Sequence, residues 1–292
     1  MRKELFVLCM AMCLCVACGK RQVELQPSLS ASVTDTIQEV CLDTLDMEDS
    51  DELFSSPVEE NFFVGEDGFF EEFLYEFCLD SLMQKHRIQF PLPYLCNNTD
   101  KERMLSEDEW FSSNLFVYSD VYHTLFERDA EMNVESDSTL KKVNLECIDL
   151  VDCQVRVFCF EKVEKHWCLQ RVREHDFTSY KHREFFTFYH RFVTDSLYQS
   201  SHVNDPMTFV TLDPEDEFTT IEANIDMEQW FAFRPMLPER LMVNVDYGVK
   251  SSRRPSRKIL TCKSLEGNFS HTSYFRKIKG EWMLTRFEEM NN

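Results

Sequence analysis

Apolar residues recur at i, i+3, i+4 and i+7 as Phe70, Phe73, Leu74 and Phe77, and again as Phe185, Phe188, Tyr189 and Phe192. That spacing predicts two helices, each with one stripe turned to a core. Both stripes end at an Asp-Ser-x-x-Gln segment, Asp80 to Gln84 and Asp195 to Gln199. Ser81 with Gln84, and Ser196 with Gln199, have capping-box spacing, so a second short helix is predicted after each stripe. Pro91 and Pro206 stop these helices. Later in the chain the pattern becomes β-rich. Runs at 143–150, 153–163 and 166–172 are followed by equivalent runs at 258–265, 269–278 and 281–289, with turns at Gly267-Asn268 and Lys279-Gly280.

These patterns are one unit written twice, 115 positions apart. Phe70, Phe73, Phe77, Asp80, Ser81, Leu82, Gln84 and Pro91 return as Phe185, Phe188, Phe192, Asp195, Ser196, Leu197, Gln199 and Pro206. The same offset carries Phe160, Lys162, Trp167, Leu169, Arg171 and Glu174 onto Phe275, Lys277, Trp282, Leu284, Arg286 and Glu289. One offset holding at both ends of a unit marks a duplication with little net insertion. Helices first and an antiparallel meander after them give an α+β class. The expected organisation is 61–176 for the first repeat and 177–292 for the second. The copies are also expected to pack as an intramolecular pseudo-dimer, with sheets face to face.

The N-terminus adds an address. Arg2 and Lys3, an apolar run from Leu5 to Val16 and small Ala17 before Cys18 read as a signal peptide over 1–17. Leu14-Cys15-Val16-Ala17-Cys18-Gly19 resembles a lipobox, which makes Cys18 the acylated residue and the bilayer a partner through its lipid. Gly19-Lys20-Arg21, rather than acids, follows Cys18; this favours the periplasmic side of the outer membrane, with the cell surface as the alternative. Residues 18–60 read as an acidic flexible tether. From Gln22 to Gln84 there are seventeen acids and no Lys or Arg, whereas 85–292 holds 34 acids against 27 bases. This acidity argues against a nucleic-acid partner.

Of twelve cysteines only Cys147 and Cys262 correspond between the copies, so the thiols read as small hydrophobes rather than a shared disulfide framework. No metal spacing or cofactor motif is present, and the histidines form no triad in the sequence. Lys250 to Lys258 is the one basic cluster and reads as a solvated loop.

Two helices, a proline-led strand and a long terminal hairpin with Trp167 or Trp282 just after its turn resemble the cone-shaped nuclear-transport-factor-2-like (NTF2-like) fold. Phe-x-x-x-Phe-x-x-Asp-Ser-x-x-Gln with a downstream Pro is similar to an uncharacterised bacterial lipoprotein family, the domain of unknown function 4348. The resemblance implies two tandem cone-shaped domains, each with helices before a bent antiparallel sheet, and an envelope location. It transfers no catalytic residue. The candidate pocket-lining residues are Asp80, Gln84 and Arg87 in one copy and Asp195, Gln199 and His202 in the other. Asp80 and Asp195 either cap helices or face a cavity. The leading expectation is a non-catalytic module binding a small ligand or an envelope protein. The alternative is an enzyme with an acid–base carboxylate in one cone.

Overall fold

The computed structural model describes residues 65–96, 101–111 and 120–291. The signal, Cys18 and the tether lie outside them. The predicted stripes form helices α1 (Phe70–Leu79) and α4 (Arg183–Thr194), and every predicted stripe residue is buried. The second helices also form, as α2 (Ser81–Arg87) and α5 (Ser196–Ser201). Their caps are displaced by one residue from the prediction. The Asp80 carboxylate accepts from Leu82 N and Met83 N, and that of Asp195 from Tyr198 N. A carboxylate one atom longer than a hydroxyl reaches these donors from the preceding position, so Ser81 and Ser196 open the helices instead of capping them.

Strands β1 (Leu92–Cys96) and β2 (Lys101–Leu105) follow, then helix α3 (Glu107–Phe111) and strand β3 (Val121–Phe126). The first unit ends with β4 (Lys142–Asp149), β5 (Gln154–Val163) and β6 (His166–Asp176). The second unit repeats this order as β7 (Val203–Asp213), β8 (Asp216–Ile225), α6 (Met227–Phe233), β9 (Leu241–Asp246), β10 (Arg257–Ser264), β11 (Phe269–Ile278) and β12 (Glu281–Asn291). The fold is α+β, as expected.

Among the described residues all twelve strands join edge to edge in one sheet, ordered β2-β1-β6-β5-β4-β9-β3-β10-β11-β12-β7-β8. This corrects two expectations. The sheets are not stacked face to face, and the pairing is mixed. β1 runs parallel to β6, β7 to β12 and β3 to β9. At the centre the units exchange a strand: β3 pairs with β10 of the second unit, and β9 with β4 of the first.

The central strands are consequently buried on both faces, and alternate residues serve opposite cores. Val143, Leu145, Phe158 and Phe160 pack with the α1 phenylalanines. Ile148, Val155, Val157 and Cys159 pack with those of α4.

The echoed residues explain themselves in the packing. Phe160 meets Phe70, Phe73 and Phe77 edge-on at 5.3–5.6 Å, and Phe275 does the same to Phe185, Phe188 and Phe192 at 5.3–5.7 Å. Trp167 is T-shaped to Phe70 at 5.1 Å, and Trp282 to Phe185 at 5.5 Å. Lys162 and Lys277 lie over these indoles at 5.0 and 4.8 Å. Burial of a Phe is worth ~2–3 kcal/mol and each edge contact ~1 kcal/mol more. The duplicated sequence is therefore mainly a helix-to-sheet clamp.

Candidate functional site

Strand exchange builds the site. In β3 and β10, His123 stands opposite Cys262; in β10 and β11, Cys262 stands opposite His271. Directly opposed residues project from one face about 5 Å apart, so the three side chains form a row across three strands. The row floors a cavity of about 880 Å³ whose walls include Val121, Val193, Phe231, Pro235, Leu237, Leu241 and Phe269. Apolar walls with a few convergent polar groups are the usual make-up of a ligand pocket.

The second wall comes from α6 and the segment after it. Asp226 and Gln229 cap α6 reciprocally, and Trp230 anchors it at 5.1 Å from Phe287. Pro235 disfavours helical geometry at Arg234, which ends the helix there (φ −56°, ψ 138°). Arg234 then reaches back to donate to Gln199 Oε1, with its guanidinium over the Phe231 ring at 4.7 Å. Further along, Arg240 pairs with Asp149 and Asp152 at 3.6 and 3.4 Å and so ties the wall to the turn after β4.

The floor is uncharged at neutral pH. Burial pulls His123 down to about 4, against the hydrogen bond to the Val243 carbonyl and with the help of neighbouring His271. His271 is likewise lowered to about 4 by burial, and the Cys262 thiol is pushed up to about 12. His123 Nδ1 lies 3.2 Å from the Val243 oxygen. A carbonyl only accepts, so Nδ1 carries the proton and Nε2 is left as an acceptor. A protonated thiol is a poor metal ligand and nucleophile. No group of three or more His, Cys, Asp or Glu among the described residues is arranged to hold a metal ion.

None of the six residues predicted from the sequence lines this cavity. Asp80 and Asp195 are caps. Gln84 donates to Phe77 O at 2.7 Å and accepts from Trp110 Nε1 at 3.1 Å, which closes the end of α1. Gln199, fully buried, donates to Phe192 O at 3.0 Å and stands one step behind the wall through Arg234. Arg87 makes a two-pronged bond with Asp67 at 2.7 and 3.1 Å beneath the first clamp. At its counterpart, His202 stacks on Tyr198 at 3.7 Å and bonds the Tyr198 carbonyl through Nδ1 at 2.8 Å.

The basic cluster also departs from expectation, because it straddles the start of β10. Arg257 grips Asp129 at 2.7 and 2.8 Å, and Lys258 is buried against Glu127 at 3.0 Å, whereas Lys250, Arg253 and Arg254 are exposed. The seven described cysteines are free thiols.

His123, Cys262, His271 and Arg234 were not legible as a set. His123 and His271 lie 148 positions apart and in different units, and meet only through the exchanged strand. Val121 to Phe126 carries no clean alternation to mark a site face, because Tyr122, His123 and Thr124 are buried in succession by the two cores. The corresponding row in the first unit has Cys147 opposite Arg156, whose Nη2 pairs with Glu174 at 3.1 Å. An ion pair there replaces the neutral imidazole.

A second cleft, also about 880 Å³, opens between α1 and the β10–β11 turn, lined by Glu71, Glu72, Glu76, Lys263 and Glu266 among others. Lys263 is already held there by Glu71 and Glu135 at 3.3 and 2.5 Å. It is the more open and more acidic of the two.

A family model described as "Domain of unknown function (DUF4348)" matches residues 49–289. Among solved structures, an NTF2-like protein from Bacteroides fragilis NCTC 9343 is 32% identical. The match covers 77% of this chain and 97% of that one, with a TM-score of 0.71. No curated protein matches.

Proposed function

Since the chain belongs to the family of the domain of unknown function DUF4348 and has an NTF2-like fold, we propose that it is a non-catalytic ligand-binding module of the cell envelope. The observation that carries this reading is the apolar cavity floored by His123, Cys262 and His271, all uncharged at neutral pH. A general base works best with a pKa near the operating pH. Imidazoles at about 4 are weak bases at neutrality, and the two carboxylates that an enzyme would have used are helix caps. Units 61–176 and 177–292 are, in this reading, two NTF2-like cones fused through the exchanged strands. The solved relative supports it, because the match, at 77% of this chain and 97% of that one, extends well beyond the length of either unit alone.

Nile red, a neutral apolar dye, is expected to bind one to one. Val193→Trp, which adds bulk to the cavity wall, should exclude it; undiminished binding by that variant would sink the proposal. Anchoring through Cys18 on the periplasmic side of the outer membrane is part of the same proposal. Incorporation of an alkyne-palmitate label should be abolished by Cys18→Ser, and protease added to intact cells should leave the domains whole. A retained label or digested domains would remove that part.

A further inference from the structure

The geometry points to an amphipathic monocarboxylate as the ligand, its carboxylate on Arg234 and its apolar body along Phe231, Leu237 and Phe269, an assignment that rests on the cavity being the ligand site. Three charged side chains line that cavity. Arg240 is compensated twice, by Asp149 and Asp152. Glu239 is exposed, so water satisfies it cheaply. Arg234 differs from both. It is half-buried, stacked on Phe231 and bonded to the neutral amide of Gln199, and among the described residues no carboxylate pairs with it. A guanidinium so placed presents a fixed planar fork, which matches a carboxylate.

The rest of the lining sets the class. Polar groups on the floor are neutral and offer hydrogen bonds without charge, so they neither repel an anion nor neutralise a second negative charge. One guanidinium balances one carboxylate, whereas a phosphate dianion would carry an uncompensated charge into an apolar space. A cationic amphiphile would meet Arg234 at like charge. Gln199 is the positioning residue: its amide, locked to Phe192 O, holds Arg234 against the wall.

The test is calorimetric titration of the full chain with decanoate, 1-decanol and decylamine at neutral pH. The three probes share a tail and differ in head-group charge. Decanoate should bind about tenfold or more tightly than decanol, the worth of one charge-assisted hydrogen bond. Arg234→Met should erase that preference, read as the decanoate-to-decanol affinity ratio falling to about one, and Arg234→Lys should retain part of it. Equal binding of decanoate and decanol, or tighter binding of decylamine, overturns the carboxylate assignment and leaves the cavity reading standing. A preference that survives in Arg234→Met overturns the role of Arg234. If none of the three probes binds, both readings fall together. Should Arg234→Met not fold, the wild-type ratio and Arg234→Lys still decide.

Discussion

Replacing His271 by Gln removes one of the two buried imidazoles on the cavity floor while keeping a hydrogen-bonding side chain of similar reach, and its effect on stability should depend steeply on pH. In the folded protein His123 and His271 titrate at about 4, against an ordinary value of 6.5. As pH falls through 6.5 the unfolded chain takes up protons that the folded protein refuses until about 4. The stability each neutral imidazole contributes is therefore complete above 6.5 and is lost progressively between 6.5 and 4. At about pH 5 some 1.5 pH units of that gap are open, which is roughly 2 kcal/mol per imidazole at ~1.36 kcal/mol per unit. Other groups titrate in the same range. Glu146, raised to about 7 by burial and by the Asp246 charge, acts in the opposite sense, and His182, lowered to about 2 by burial and by Lys258, acts in the same one. The informative quantity is thus the difference between wild type and His271→Gln. Urea unfolding should show that difference changing by about 2 kcal/mol between about pH 7.5 and about pH 5, with the variant less acid-sensitive. Curves that remain parallel within about 0.5 kcal/mol would refute a buried neutral imidazole at this position.

Three further outcomes follow from the geometry. Asp67→Asn removes the Asp67 carboxylate from its two-pronged bond with the buried Arg87 guanidinium, and chemical denaturation should register a loss of about 3–5 kcal/mol; a loss under ~1 kcal/mol would mean that the pair is solvated. The β5–β6 turn holds Glu164 and Lys165 at φ 49° and 74°, where the second unit has Lys279-Gly280 at 53° and 93°. Glu164→Asn with Lys165→Gly should therefore raise stability by about 1 kcal/mol, visible as a higher Tm, and a lower Tm would contradict the turn assignment. Alkylation by iodoacetamide near pH 8, read by peptide mass spectrometry, should label exposed Cys153 rapidly and Cys262, with its thiol pushed up to about 12, far more slowly. Equal labelling would argue against a closed floor.

Local pattern made much of this fold legible. The stripes at Phe70 and Phe185, the long hairpins and the clamp residues Phe160, Trp167, Phe275 and Trp282 all depend on contacts whose periodicity is written in short segments. The duplication gave each reading a second witness. The caps were off by one residue because Asp80 and Ser81 are both good capping residues, and only backbone geometry chooses between them. Tertiary exchange escaped altogether. Nothing in Val121 to Phe126 says that it will pair with Arg257–Ser264 rather than with Lys142–Asp149, since either partner would satisfy its backbone hydrogen bonds. The site was lost with it: His123 reaches Cys262 and His271 only by crossing between units.

That crossing also fixes an order of events during synthesis. β3 is complete at Phe126, but its neighbour β10 begins only at Arg257, about 130 residues later. At roughly 5–20 residues per second, this strand waits on the order of 10 seconds for its partner to leave the ribosome. Until then β4 has no β9 along its inner edge, and half of the central sheet has no cover on one face. The first repeat alone is a nascent chain with an open sheet edge, the kind of surface that chaperones hold and that neighbouring chains can invade. Cutting the protein between its two repeats would therefore yield two incomplete folding units, each retaining the partner strand that the other requires.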